Sequence, residues 1–390
     1  MKKKLNIAVL GTGFMGKVHS YAWRAVSKIF DLEFEPVLKV AFGTDANDLS
    51  SFVERWGYED SSMNWKEVVS RPDIDLVDIV APTLVHKDMA VFAAENGKNV
   101  FCEKPCCLSV SDAQAMAEAC EKAGVLSYLN HNYRRIPAVS YARQLIQEGR
   151  LGEIYHFRGA YLQDWIMDPN FPLTWHLKKE FAGGGPLFDL GSHSIDLARF
   201  LVGEIDSVTA EMRTFIKDRP LPGTGAATFT AGTNQSSEKG KVTVDDAAFL
   251  LLGFENSEAL GSCDVSRFAG GRRNYNYFEV YGAKGSLVWN LERLNELQFL
   301  DLTEPYATQG FRNIMLTAGD HPYMSKWWAG GHIVGYETTF VNAMSDCLTC
   351  LAKGTAPSPN FRDGEKILQV LAAADVSARE GRRVRCQEVQ

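Results

Sequence analysis

A short apolar run, Leu5–Leu10, leads directly into Gly11-Thr12-Gly13-Phe14-Met15-Gly16, and an amphipathic stretch from Val18 to Ile29 follows. A strand that must turn sharply into a helix has few solutions, and this glycine spacing is one of them. Gly11 permits the tight turn, Gly13 lets the backbone approach a pyrophosphate, and Gly16 lets the helix pack closely on the sheet. The helix N-terminus then faces the phosphate charge. Such glycines recur by chance in loops; the strand before and the helix after separate this set from a plain turn. The spacing predicts a dinucleotide site at Gly11, Thr12, Gly13, Phe14, Met15 and Gly16.

The next segments agree. Strand-like runs at Val37–Phe42, Leu76–Val80, Asn99–Phe101 and Val125–Leu129 alternate with helical patterns such as Met89–Asn96 and Ser111–Ala123. That alternation predicts a doubly wound parallel sheet. After about residue 150 the texture changes. Longer strand patterns, Ile154–Leu162, Val208–Phe215, Ala247–Phe254, Tyr275–Tyr281 and Ser286–Asn290, follow one another, which predicts a mostly antiparallel sheet with one covered face. Helical patterns lie at Asp189–Leu201, Tyr336–Leu351 and Asp363–Arg379, and Pro220–Gly240 reads as a surface loop. The expected class is α/β: a cofactor-binding domain over residues 1–130 and an α+β domain over 131–390 for substrate and oligomerisation. The final helices are candidates for packing back on the first domain.

With 390 residues, 45% of them hydrophobic, the chain is long enough to bury the cores of two domains. A net charge of −7 with both signs interspersed argues against nucleic acid and anionic membrane as partners. No apolar run reaches the length of a membrane span. The basic start Lys2-Lys3-Lys4 is followed by an apolar stretch too short for a secretion signal, so a cytoplasmic location is expected. Eight cysteines show no disulfide framework. Cys347 and Cys350 form a lone C-x-x-C and Cys106-Cys107 are adjacent, so reduced, buried thiols and no metal site are expected.

Candidate site residues cluster where strands end. Asp45, just past Val37–Phe42, suits the adenine ribose hydroxyls and would repel a 2′-phosphate, favouring NAD over NADP. It lies late, because Lys28–Pro36 reads as an insertion. Asp48 competes with it, and either aspartate could instead serve the first turn of the next helix. Ala81, Pro82, Thr83 and Leu84 follow the next strand, with His86 either beside the cofactor or on the surface at a helix start. Glu103-Lys104-Pro105 closes a further strand, which lifts Lys104 above an ordinary surface lysine. Gly183-Gly184-Gly185 leads to Asp189, His193 and Asp196, spaced for one helix face. A carboxylate one turn from an imidazole suits base and orienter, although a polar stripe on a capped helix has the same spacing.

The set Gly11-x-Gly13-x-x-Gly16, Glu103-Lys104-Pro105 and Gly184-Gly185-x-x-x-Asp189-x-Gly191-x-His193 resembles the glucose–fructose oxidoreductase, inositol dehydrogenase and rhizopine-catabolism family, Gfo/Idh/MocA. The resemblance implies a Rossmann domain plus an open-faced sheet domain, assembled as homodimers or homotetramers through that sheet. It implies NAD contacts from the glycine turn, Glu103, Lys104 and Asn132. It also implies that Lys104 holds the reacting hydroxyl, Asp189 orients substrate and His193 is the general acid/base. Further likeness to a subgroup of sugar dehydrogenases runs through Gly13-Phe14-Met15-Gly16-Lys17-x-His19-Ser20, Asn132-Tyr133-Arg134-Arg135, Tyr161-Leu162-Gln163-Asp164-Trp165 and Gly335-Tyr336. By that likeness Tyr133, Gln163 and Tyr336 contact sugar hydroxyls, beside Trp165, Trp175 and His176; core packing is the alternative for the aromatics. The chain departs from the subgroup at His131, Cys106-Cys107 and His176, which leaves the sugar open.

Three functions fit. The first moves a hydride between a secondary hydroxyl of a cyclic sugar, anhydrosugar or polyol and nicotinamide. The second is a redox-neutral glycoside hydrolase that oxidises C3 transiently, eliminates, hydrates and re-reduces. An anionic sugar would suit it if Arg134, Arg135, His176 and Arg273 line a pocket, and surface or ion-paired charges would not. The third is an NAD-binding sensor without catalysis.

Overall fold

The computed structural model describes residues 2–223 and 237–389. Contacts divide the chain into two compact units: Met1–Ile136 with Thr317–Lys366, and Pro137–Leu316 with Ile367–Gln390.

The first unit holds six strands: β1 (Lys3–Leu10), β2 (Phe34–Phe42), β3 (Asp60–Ser62), β4 (Leu76–Ile79), β5 (Asn99–Glu103) and β6 (Ser127–Asn130). All pair in parallel, in the order β3-β2-β1-β4-β5-β6. The order reverses between β1 and β4, where such sheets open a ligand crevice at their carboxyl ends. Every residue of β4 is buried. That burial explains why Leu76, Val77 and Ile79 do not alternate with exposed polar residues; the one charged residue of the strand, Asp78, is buried too. Helix Glu337–Lys353 adds Phe340, Val341, Met344, Cys347 and Leu348 to the core that holds Trp23, Val26, Phe101 and Tyr128. Each large side chain so buried contributes about 1.5–3 kcal/mol. The stretch Lys28–Pro36 is not an insertion. Helix Phe14–Ile29 runs into it and β2 begins at Phe34, so the connector is short.

The second unit is built on β7 (Ile154–Leu162), β8 (Ile205–Arg213), the small hairpin β9 (Asp218–Pro220) and β10 (Lys239–Lys241), then β11 (Ala247–Phe254), β12 (Leu260–Ser266), β13 (Tyr275–Gly282), β14 (Gly285–Asn290), β15 (Glu296–Asp301), β16 (Arg312–Met315) and β17 (Val384–Arg385). Nine of these form one sheet, β16-β15-β14-β13-β7-β12-β11-β8-β17. Only β7 and β12 pair in parallel; the other neighbours run antiparallel. The ends of the expected loop Pro220–Gly240 belong to the hairpin, and residues 224–236 of it lie outside the described residues.

Side chains alternate cleanly along β13, with Phe278 and Val280 buried and Tyr277 and Glu279 half-buried opposite. On the other face of the sheet Phe249 and Leu251 of β11 and Leu260 of β12 stand exposed. Strand β12 was not expected from the sequence. Leu-Gly-Ser-Cys-Asp-Val-Ser carries small and polar residues with weak strand preference, and its neighbours β7 and β11 hold it in place.

Candidate active site

In the first unit the glycine turn meets every steric requirement of its motif. Gly11 has φ +130°, and a Cβ there would stand 2.9 Å from the Val80 carbonyl oxygen. A Cβ on Gly16 would meet the Gly11 oxygen at 2.3 Å, so only glycine allows the helix this close to the turn. Gly13 is the converse: a Cβ would meet nothing within 4 Å. It is also the N-cap of helix Phe14–Ile29, with no capping side chain and no acidic residue in the first turn. A helix start with no capping side chain is a place that suits an anion. These residues fit a dinucleotide pyrophosphate. Thr12 touches the start of the turn after β2, at Gly43. Phe14 is exposed, and Met15 packs on the core.

Asp45 follows β2 as expected and serves the next helix. Its Oδ1 accepts from the amides of Asn47 and Asp48 at 2.9 Å each, capping helix Ala46–Trp56. Asp48 sits in that first turn.

The segment after β4 brings Ala81, Pro82, Thr83 and Leu84 to the carboxyl edge, with Pro82 and Leu84 exposed and Thr83 buried. His86 starts helix His86–Glu95 but is no surface residue. It is buried, with Nε2 2.8 Å from the Ala81 oxygen and Nδ1 near the Pro105 and Cys106 oxygens. Burial pushes its pKa down against the backbone oxygens around it, and the ring lies between the turns that follow β4 and β5.

Beside it lies a buried charge cluster that sequence reasoning did not assign. His19 Nδ1 is 3.0 Å from both Asp78 oxygens and Nε2 is 2.9 Å from Glu103 Oε1. Trp23 donates to Asp78 at 2.7 Å and Asn130 to Glu103 at 2.6 Å. Burial alone would lower the His19 pKa, but the charge and hydrogen bond of Asp78, with Glu103, raise it to about 10. Burial likewise opposes a charged Glu103, and the His19 partnership still holds its pKa below the ordinary value. Glu103 Oε2 accepts from the Lys104 backbone amide at 3.2 Å. The cluster therefore ties the glycine-turn helix, β4, β5 and β6 to the backbone that carries Lys104. The signal in the sequence was a histidine one helical turn past Gly16, on the face that meets the sheet.

Asn132 donates to Thr339 at 2.8 Å. Tyr133 is buried with its ring 6.4 Å from that of Tyr336, edge to face. His131 is buried as well. Two candidate cations are ion-paired: Arg135 bonds Asp346 at 2.9 Å, and Arg134 bonds Ser358 at 3.0 Å with Asp363 at 3.9 Å.

In the second unit the expected helix Asp189–Leu201 is two helices, Pro186–Asp189 and Gly191–Leu201. At the break His193 N–H bonds the Leu190 carbonyl, and the Ser192 hydroxyl takes the Asp189 carbonyl. Leu190, between the two helices, keeps helical backbone angles. The glycine run has a steric cause. A Cβ on Gly185 would meet the Asp245 oxygen at 1.9 Å, and one on Gly184 the Phe188 ring at 2.5 Å. The Asp245 carboxylate accepts from the Gly185 and Leu187 amides at 2.8 and 2.9 Å, anchoring the segment that delivers Asp189.

Around it runs a connected wall. The Tyr161 ring is 5.7 Å from His193, and its hydroxyl donates to Asn274 Oδ1 at 2.7 Å. Gln163 donates to the same oxygen at 2.9 Å and accepts from Trp165 Nε1 at 2.8 Å. An indole N–H can only donate, so it fixes which way the Gln163 and Asn274 amides face. The Trp165 ring lies 6.1 Å from His176 and 5.2 Å from the Arg267 guanidinium, and Arg267 bonds Asp189 at 2.7 Å. Exposed Trp175 stacks on His176. Arg273 pairs with Asp164 at 3.1 Å on the surface. Asn274 and Arg267 were missed because one sits in the bend before β13 and the other follows the unexpected strand β12. All eight cysteines are free thiols, seven of them buried. No described helix is long and apolar enough to cross a membrane.

A sheet of this order, with a glycine turn and an uncapped helix start at its switch point, defines a dinucleotide-binding domain. Comparison agrees: residues 5–131 match the family model described as an oxidoreductase family with NAD-binding Rossmann fold, and residues 139–288 match the GFO/IDH/MocA C-terminal domain. The chain belongs to the Gfo/Idh/MocA family. It is 39% identical to levoglucosan dehydrogenase of Pseudarthrobacter phenanthrenivorans over 94% of either chain. Among solved structures, an oxidoreductase domain protein from Kribbella flavida is 41% identical with a TM-score of 0.93, covering 99% of this chain and 100% of that one. Levoglucosan dehydrogenase in complex with NADH and levoglucosan is 37% identical with a TM-score of 0.92, covering 98% and 100%.

Proposed function

We infer that the protein oxidises a secondary hydroxyl of a cyclic sugar, anhydrosugar or polyol, with NAD as acceptor. The observation that carries this reading is the wall of the second unit. There, amides and a hydroxyl of fixed direction stand between aromatic faces and an Asp–His pair, a surface suited to a ring bearing several hydroxyls. Similarity to levoglucosan dehydrogenase supports the same class.

The glycine turn, Ala81–Leu84, Glu103, Lys104 and Asn132 hold the cofactor, which when bound accepts the hydride. His193 takes the hydroxyl proton, a contribution of about 10²–10⁴-fold. Lys104 favours the developing alkoxide electrostatically. Asp189 accepts a hydrogen bond from substrate, and Gln163, Tyr133, Tyr336, Trp165, Trp175 and His176 shape the sugar site. Asp45, past β2, favours NAD over NADP. The exposed apolar residues Phe249, Leu251 and Leu260 support assembly through the second unit's sheet, as a homodimer or homotetramer. Free thiols fit a reducing, cytoplasmic location.

The test is NADH formation against a panel of anhydrosugars, sugars, inositols and glycosides. One NADH per oxidised sugar is expected, and Lys104→Ala should abolish turnover while NAD binding, still served by the glycine turn, is largely retained. Aglycone release without NADH would instead mark the redox-neutral hydrolase. Ion pairing of Arg134, Arg135 and Arg273 argues against an anionic substrate; His176, the fourth cationic candidate, stacks on Trp175.

A further inference from the structure

We propose that Arg267 is a positioning residue for the reaction: it grips the Asp189 carboxylate from its buried side and sets the direction in which that carboxylate meets a substrate hydroxyl. The inference rests on the reading of Asp189 as the substrate-orienting acid.

Arg267 immediately follows β12, and its side chain is 1% exposed. Nη2 donates to Asp189 Oδ2 at 2.7 Å, while the Asp189 side chain keeps 35% of its surface open. One partner is therefore locked inside and the other looks outward. The Arg267 Cζ lies 5.2 Å from the Trp165 ring centroid, and Nε and Nη1 are buried without a hydrogen-bond partner among the described residues, so the Asp189 carboxylate is the group the guanidinium engages.

Two functions compete for such an arginine. As an anion receptor it would need spare positive charge. Here Asp189 is in contact, and Asp245 and Asp246 both feel the Arg267 charge, so the neighbourhood is already acidic. As a stabilising contact it would be a poor choice, since an apolar side chain of similar volume usually does as well in a buried place. Orientation remains. Asp189 ends a helix of only four residues, a span too short to hold a carboxylate by itself. Through Trp165 the grip also joins the Gln163–Asn274–Tyr161 wall that reaches His193, so Asp189 and His193 share one continuous scaffold.

The experiment is a double-mutant cycle of Arg267→Met and Asp189→Asn in the full chain, with NAD and levoglucosan, or the panel sugar that turns over. Arg267→Met should lower kcat/KM for the sugar by about 10–100-fold, the scale of a charged hydrogen bond, and leave the KM for NAD unchanged. In the Asp189→Asn background it should cost nothing more, and Arg267→Lys should recover part of the loss. If Arg267→Met does not accumulate as folded protein, Arg267→Lys takes its place in the cycle. Multiplying losses in the double variant, or a fully active Arg267→Met, would overturn the proposal while Asp189→Asn still impairs catalysis. A fully active Asp189→Asn would overturn the functional reading as well.

Discussion

Replacing His19 with leucine tests the charge cluster under the glycine turn. The imidazole is wholly buried, with Asp78 at 3.0 Å and Glu103 at 2.9 Å. Removing it strands two carboxylates that keep only the Trp23 and Asn130 donors and the Lys104 amide. Breaking a buried ion pair by deleting one partner costs about 3–5 kcal/mol. For a unit of this size that lowers Tm by roughly 6–20 °C. The pH dependence has a definite sign. The His19 pKa rises on folding from 6.5 to about 10, so its stabilisation is complete below about pH 6.5 and is lost as pH rises through about 10. The parent should therefore weaken steadily above neutrality. The His19→Leu protein should lose that slope. It should also gain relative stability in acid, where the stranded Glu103, no longer held below its ordinary pKa, takes up a proton. Urea unfolding followed by circular dichroism across pH 5–10 reads both effects. A variant within about 1 kcal/mol of the parent at neutral pH, with the same alkaline slope, would refute the charged-cluster argument.

Other outcomes follow from single contacts. Gly185→Ala puts a Cβ 1.9 Å from the Asp245 oxygen, so the Asp189 segment must move; a loss of about 1–3 kcal/mol and of most activity is expected by melting and NADH assay. Trp165→Phe keeps the ring but removes the N–H that orients Gln163, and should raise the sugar KM about 2–10-fold with the KM for NAD unchanged. Asp45→Ala should cost about 1 kcal/mol of helix capping and narrow the NAD-to-NADP ratio of kcat/KM; an unchanged ratio would remove Asp45 from cofactor selection.

The glycine turn was legible because much of its demand is local: Gly11 takes a positive φ and Gly16 closes on the Gly11 carbonyl, while a Cβ on Gly13 would meet open space. The parallel sheet was legible for a related reason. Buried strands and amphipathic helices write their periods into the sequence, as β1 and helix Phe14–Ile29 do. Strand β12 was not legible, since its residues have weak preference and long-range pairing with β7 and β11 makes it a strand. The Asp189–His193 spacing was legible, but the interruption of the helix at Leu190 was not, since Leu190 is neither glycine nor proline.

Residue types and their order were sufficient to determine the family and the cofactor domain, and they singled out Lys104, Asp189 and His193 as the candidates for the chemistry. Which side chains hold those groups in place was decided only by the tertiary structure. His19 finds Asp78 and Glu103, Arg267 finds Asp189, and Asn274 joins Tyr161 to Gln163 across separations that no local pattern records. The physical reason is that a buried charge or amide must be paired wherever the fold happens to bring a partner, so its role is set by neighbours in space rather than in sequence.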